Sequence, residues 1–134
     1  MNRMELLIVD DDRIITMLHH HLVMQSGLHP SPHLFYNGLD ALNHIRNNRR
    51  NRFLVLLDIN MPGISGWDFL DHLYRENLTG QVRVVMVTSS VDGADLARSR
   101  NYDIVIDYID KPLTLQKLEI MQELQALKDL HHNP

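Results

Sequence analysis

Apolar residues fall along this chain in two alternating rhythms. Leu6–Val9, Phe53–Leu57, Val82–Val87 and Ile104–Ile109 are short runs rich in Val, Ile and Leu. Such runs predict strands covered on both faces, the central strands of a sheet. Between them the spacing changes. Ile14, Leu18 and Leu22 recur every fourth position, Leu39, Leu42 and Ile45 every third, as do Trp67, Leu70 and Leu73, and later Leu115, Leu118, Met121 and Leu124. These periods predict amphipathic helices. The stretch His29–Tyr36 is interrupted by Pro30 and Pro32, which leaves His33–Tyr36 as a strand suited to an edge, where a missing N–H is tolerated.

Punctuation agrees with this alternation. Ser26-Gly27 reads as the end of the first helix and Asn37-Gly38 as the start of the second, Met61-Pro62-Gly63 forces a turn, and Thr114 is a candidate N-cap for the last helix. Five strand–helix units joined by right-handed crossovers predict a three-layer, doubly wound α/β domain of flavodoxin-like type. A single domain over residues 1–130 is expected, with 131–134 as a short tail.

Composition narrows the reading. A chain of 134 residues at 44% hydrophobic can bury a core of its own. Cysteine is absent, which excludes disulfides, thiolate metal sites and cysteine nucleophiles. The N-terminal apolar stretch is too short and too acidic for a signal peptide, and no run approaches a membrane span, so a soluble, cytoplasmic protein without membrane contact is expected. A net charge of −4 speaks against a nucleic-acid module. The local basic knot of Arg46, Arg49, Arg50 and Arg52 is read as a solvated loop, a phosphate contact being the alternative.

The chemistry collects at strand ends. Asp10-Asp11-Asp12 follow the first apolar run, Asp58 the second, Thr88 the third, and Lys111 comes just after the last. The carboxyl ends of parallel strands share one edge, so these groups are expected to converge. Adjacent aspartates repel one another unless a cation neutralises them, and hard oxygen ligands suit Mg²⁺. Asp58 could then act as a nucleophile that forms an aspartyl-phosphate, with Lys111 and Thr88 placed to meet the phosphoryl oxygens. Taken singly, each residue would more often be a helix cap, a turn former or a surface lysine. The conjunction at four strand ends carries the functional reading.

The motifs Leu7-Ile8-Val9-Asp10-Asp11-Asp12, Leu57-Asp58-Ile59-Asn60-Met61-Pro62-Gly63, Val87-Thr88-Ser89 and Lys111-Pro112-Leu113-Thr114 resemble the signature motifs of response-regulator receiver domains, stand-alone chemotaxis-type regulators included. The resemblance spans nearly the whole chain and implies a five-stranded parallel sheet in the order 2-1-3-4-5. It also implies phosphorylation of Asp58 by a histidine kinase or histidine phosphotransfer protein. Mg²⁺ would be held by Asp11, Asp58 and the main-chain carbonyl of Asn60, with Asp10 acting through water and Asp12 lying outside. Thr88 and Lys111 would contact the phosphoryl group. Thr88 and Tyr108 would form a switch that alters the surface of the last two helices and the intervening strand, where a downstream protein binds. Asn60 and Ser90 occupy positions that tune phosphoryl lifetime in this family. The protein would be no classical enzyme, although it would assist its own Mg²⁺-dependent phosphorylation and dephosphorylation.

Two departures stand out. Asn101–Asp107 lacks the Gly-Ala that commonly precedes the fifth strand, which predicts a rebuilt end of the fourth helix. After Lys111 the chain has room for one helix and a tail, so output is expected through protein binding and not through DNA, unless the chain is an excised fragment; dimerisation on phosphorylation is left open. Other readings fare less well. His19-His20-His21 point in different directions on a helix and cannot share a zinc ion, so the histidines are read as exposed and titrating. A flavin protein would need a phosphate cradle where three aspartates stand, and an aspartate-based phosphatase favours a second Asp where Asn60 stands. A degenerate, purely binding receiver would not need the full set of Asp11, Asp58, Thr88 and Lys111.

Overall fold

A computed structural model describes residues 3–89 and 92–124. Five strands, β1 (Met4–Val9), β2 (His33–Phe35), β3 (Arg52–Leu57), β4 (Val82–Thr88) and β5 (Val105–Asp110), alternate with helices α1 (Arg13–Ser26), α2 (Gly38–Arg46), α3 (Gly66–Arg75), α4 (Gly93–Ser99) and α5 (Leu115–Gln122). All strand pairings are parallel, in the order β2-β1-β3-β4-β5. The expected doubly wound, flavodoxin-like fold is the one observed, and the proline-interrupted segment is indeed its edge strand.

Alternate residues of each strand feed two separate cores, as the two-residue side-chain period requires. Leu7, Val9, Phe53, Val55, Leu57, Val84 and Met86 join Ala41, Leu42 and Ile45 of α2 and Trp67, Phe69, Leu70 and Leu73 of α3. On the other face Leu6, Ile8, Leu54, Leu56, Val85 and Val87 meet Val23 of α1 and Leu118 and Met121 of α5. The β4–β5 register shifts between Val84 and Val85, so Val105 and Tyr108 pack with the first core and Ile106 and Ile109 with the second.

The caps fall where expected. Asn37 caps α2, Thr114 caps α5, and Gly27 ends α1 in the left-handed conformation at φ 77°. Gly63 takes φ 82° in the turn that follows Asp58. One helix faces the other way from its sequence period. In α1 the buried residues are Thr16, His19 and Val23, while Ile14 and Leu18 of the every-fourth series are 77% and 45% exposed and only Leu22 packs on the core. Leu39 of α2 is also exposed. The α4 helix is short, with Ser99 as its only buried residue.

Candidate functional site

Strand register assembles the site. Val9 of β1 lies opposite Leu57 of β3, so Asp10 and Asp58, each the next residue, leave adjacent central strands side by side. Leu57 in turn faces Met86, and Thr88 ends β4 opposite Asp110, the residue before Lys111. The Lys111 amide donates to the Thr88 carbonyl at 2.9 Å, which fixes where the lysine stem leaves the sheet. Residues separated by most of the chain meet at one edge because all these strands run in the same direction.

Asp10, Asp11 and Asp58 each offer a carboxylate oxygen, and these oxygens lie within 4.8 Å of one another. Asp10 and Asp58 are buried, whereas Asp11 is exposed, so the cluster opens to solvent on one side. Lys111 spans the pair: its Nζ lies 2.7 Å from Asp10 Oδ2 and 3.5 Å from Asp58 Oδ2. The remaining oxygens are also directed, Asp10 Oδ1 accepting from the Asp12 amide and Asp58 Oδ1 from the Ile59 amide. Asp12 itself points away and caps α1 through the amides of Ile14 and Ile15. The family resemblance implied that Asp12 lies outside, and its side chain is engaged in capping α1.

Charge balance here is incomplete. Burial pushes the Asp58 carboxyl above the ordinary carboxylate range, Lys111 opposes that shift and Asp10 adds to it, while hydrogen bonds from the Ile59 amide and Thr88 pull partway back. Burial also works against the Lys111 ammonium, but Asp10 and Asp58 outweigh it and hold the group above its usual value. One ammonium thus faces three carboxylates. A small divalent cation with oxygen preference fits the deficit, the donor type and the open side, since Mg²⁺ commonly takes one or two carboxylates and keeps several waters.

Two contributors escaped the sequence reading. His19, expected to be exposed and titrating, is buried against the site; burial lowers its pKa to about 4, Lys111 adding to the shift and Asp10 opposing it. An imidazole between an ammonium and a carboxylate in a dry setting stays neutral. The other is Gly66. A Cβ there would stand 2.6 Å from the Asp58 carbonyl oxygen and 3.0 Å from Ile59 Cα, so only glycine lets α3 begin this close to the loop. The Gly66 amide uses the approach to donate to the Ile59 carbonyl at 2.8 Å, and the Ser65–Asp68 capping box holds the helix start in place. The four motifs gave no signal for either residue, because both depend on packing from helices.

The other expected positions are placed as follows. Thr88 is fully buried at the end of β4, and Tyr108 is half-buried against the core on the α2–α3 side of the sheet. Asn60 and Ser89 are exposed, and Ser90 lies outside the described residues. The basic knot is partly structured, with Arg46 forming a bidentate pair with Glu76 at 2.7 Å. No helix among the described residues is long and apolar enough to cross a membrane.

Comparison with known proteins gives a consistent result. Residues 6–123 match the response regulator receiver domain family. The phosphate regulon transcriptional regulatory protein PhoB of Escherichia coli is 33% identical over 113 residues, which is 84% of this chain and 47% of PhoB, so the chain spans about half the length of that relative. Among solved structures, a response regulator receiver protein from Dyadobacter fermentans superposes with a TM-score of 0.78 at 27% identity, covering 90% of this chain and 95% of the other. A CheY-like receiver domain protein from Methanospirillum hungatei gives a TM-score of 0.74 at 25% identity, covering 97% and 98%.

Proposed function

The chain belongs to the response regulator receiver domain family of two-component systems, and on that premise we propose that it is a phosphoacceptor switch with Asp58 as the residue modified. The observation that carries this reading is the convergence of Asp10, Asp11 and Asp58 around Lys111 at the carboxyl edge of the sheet. Asp58 follows β3, the middle strand of the sheet. An Asp58 oxygen attacks the phosphorus of a donor phosphohistidine; the P–O bond forms, the P–N bond breaks and the imidazole leaves. Lys111 is positioned to offset charge on the phosphoryl oxygens, and the Thr88 hydroxyl is close enough to Asp58 to donate to one of them. Asp10 keeps the Lys111 ammonium aimed at the site, and His19 excludes water behind it without adding charge. Asp11, Asp58 and the Asn60 carbonyl would hold Mg²⁺, with Asp10 acting through water, and the ion would supply electrostatic stabilisation of the transferring group. The chain is then no classical enzyme, and it hastens only the gain and loss of its own phosphoryl group.

Delivery of the phosphoryl group from a protein phosphohistidine needs a docked donor. Ile14, Met17 and Leu18, on one face of α1, are 77%, 67% and 45% exposed, and α1 starts directly after the aspartates. An apolar patch beside a polar reaction centre suits a histidine kinase or a histidine phosphotransfer protein. The proposed output surface is the face of α4, β5 and α5; in support, Asp107, Tyr108, Ile109 and Asp110 of β5 and Lys117 and Ile120 of α5 line a shallow hollow there. Phosphorylation draws Thr88 toward the phosphoryl oxygens and shifts Tyr108, which biases that surface toward a downstream protein target.

The test is direct. Incubation with Mg²⁺ and acetyl phosphate is expected to add one phosphoryl group by intact mass, with no gain for Asp58→Asn or when Mg²⁺ is chelated. Modification that persists in Asp58→Asn would overturn the assignment.

A further inference from the structure

At the opposite edge of the sheet a second cluster of ligating groups comes together, unrelated to the phosphoacceptor chemistry. Glu5 of β1, His33 of β2 and His44 of α2 each present one ligand atom, all within 4.8 Å of one another. Both imidazole Nε2 atoms converge on one carboxylate oxygen, Glu5 Oε1, at 3.4 Å from His33 and 2.8 Å from His44. We propose that Glu5, His33 and His44 form a binding site for a divalent transition metal of the zinc class.

Geometry and chemistry point the same way. Ligand atoms about 2.0–2.2 Å from a tetrahedral zinc stand roughly 3.3 Å apart, and the observed separations of 3.4 and 2.8 Å bracket that value. Two imidazoles and one carboxylate suit zinc or its neighbours over Mg²⁺, and three protein ligands leave a position for water. The second Glu5 oxygen is held by the Asn51 side-chain amide at 2.7 Å, which orients the carboxylate from outside the ligand set. His44 is itself fixed by packing against Phe35 and Phe53. The His33 side chain is 48% exposed and supplies the entry path. His29 lines the neighbouring cleft but is already committed: its Nδ1 accepts from the Ser31 amide, so its Nε2 carries the proton it donates to the Met4 carbonyl. Loading the site exchanges the His44–Glu5 hydrogen bond for coordination, with the His44 proton relocating to Nδ1 through solvent.

Such a site would tie the three-residue edge strand and α2 to the central strand β1. It also stands apart from the aspartate cluster. Glu5 faces Phe53, near the start of β3, while Asp58 follows that strand's end, a distance of about 16 Å at the usual rise per residue. Excess Mg²⁺ can therefore occupy the acidic centre while zinc is titrated.

The experiment is a Zn²⁺ titration of the untagged protein by calorimetry in millimolar Mg²⁺, repeated with Co²⁺ to read visible d–d absorption. Wild type is expected to bind one Zn²⁺ at micromolar or lower concentration and to give a Co²⁺ spectrum of four- or five-coordinate type. His33→Ala and Glu5→Gln are each expected to weaken binding by at least about tenfold and to abolish the Co²⁺ bands, while His72→Ala changes neither. His33 is half exposed, so its variant keeps the fold, which circular dichroism checks. Zn²⁺ affinity unchanged in folded His33→Ala, or no binding by wild type at micromolar zinc, overturns the proposal.

Discussion

Asp58 concentrates the conflict between stability and function at a single residue. Its carboxyl is raised chiefly by burial, so between the unfolded value of 3.8 and the higher folded one the native state holds the extra proton. Stability therefore falls as pH rises through that window, and above it the ionised side chain keeps its cost. Asp58→Asn cannot ionise and leaves Lys111 its 2.7 Å contact with Asp10. In the absence of Mg²⁺ the variant is expected to be more stable than wild type at pH 7 by urea denaturation. The gain should shrink toward zero as pH falls to 3.8. An equal or lower midpoint for the variant at neutral pH would contradict burial as the dominant cause. Gly66 offers a second test at this scale. With only 2.6 Å between a new Cβ and the Asp58 carbonyl oxygen, Gly66→Ala must displace backbone on both sides. Acetyl phosphate labelling is expected to slow at least about tenfold, as small misplacements near a reacting group do, while far-UV circular dichroism stays native. The position of Asp58 in the cluster was legible in the sequence because an acidic residue at a strand end is a local signal. The need for glycine at 66 was not, since it arises from the approach of a helix to a loop.

At the scale of the elements, the caps at Asn37 and Thr114 were legible because capping is a matter of one side chain and the amides next to it. The inward face of α1 was not legible. Its strongest apolar period, Ile14–Leu18–Leu22, is largely outside, and Thr16 and His19 are inside, because the helix begins beside the aspartates and Lys111. Thr16 meets its polar need within the helix, donating to the Arg13 carbonyl at 3.0 Å. The outward apolar face yields a prediction that separates docking from chemistry. Ile14→Asp is expected to slow phosphoryl transfer from a cognate histidine kinase by about tenfold or more, the loss of about 1.4 kcal/mol of contact at one interface position. Labelling by acetyl phosphate, which needs no docking surface, should stay within about twofold of wild type. Equal losses with both donors would place the defect in the site and not in the patch.

For the whole molecule, the aspartate cluster links cation binding to folding. The folded edge brings Asp10, Asp11 and Asp58 together, whereas an unfolded chain scatters them, so the proposed Mg²⁺ site would exist in the native state and bind it selectively. At a concentration one hundred times its Kd, Mg²⁺ is expected to add about 2.7 kcal/mol of stability, read as a rise in the thermal midpoint that is smaller in Asp58→Asn. The sequence by itself determined the order of strands and helices, the covered nature of the central strands, the edge position of the proline-broken strand and which acidic groups and lysine gather at one edge. Those properties rest on local periodicity and on the rule that parallel strands end at one edge. Tertiary structure alone decided which face of α1 is buried, that His19 is a neutral buried group and that His33 and His44 meet at Glu5 across three elements. Side chains from separate helices and strands become neighbours only through the packing of layers, and no spacing along the chain encodes that distance.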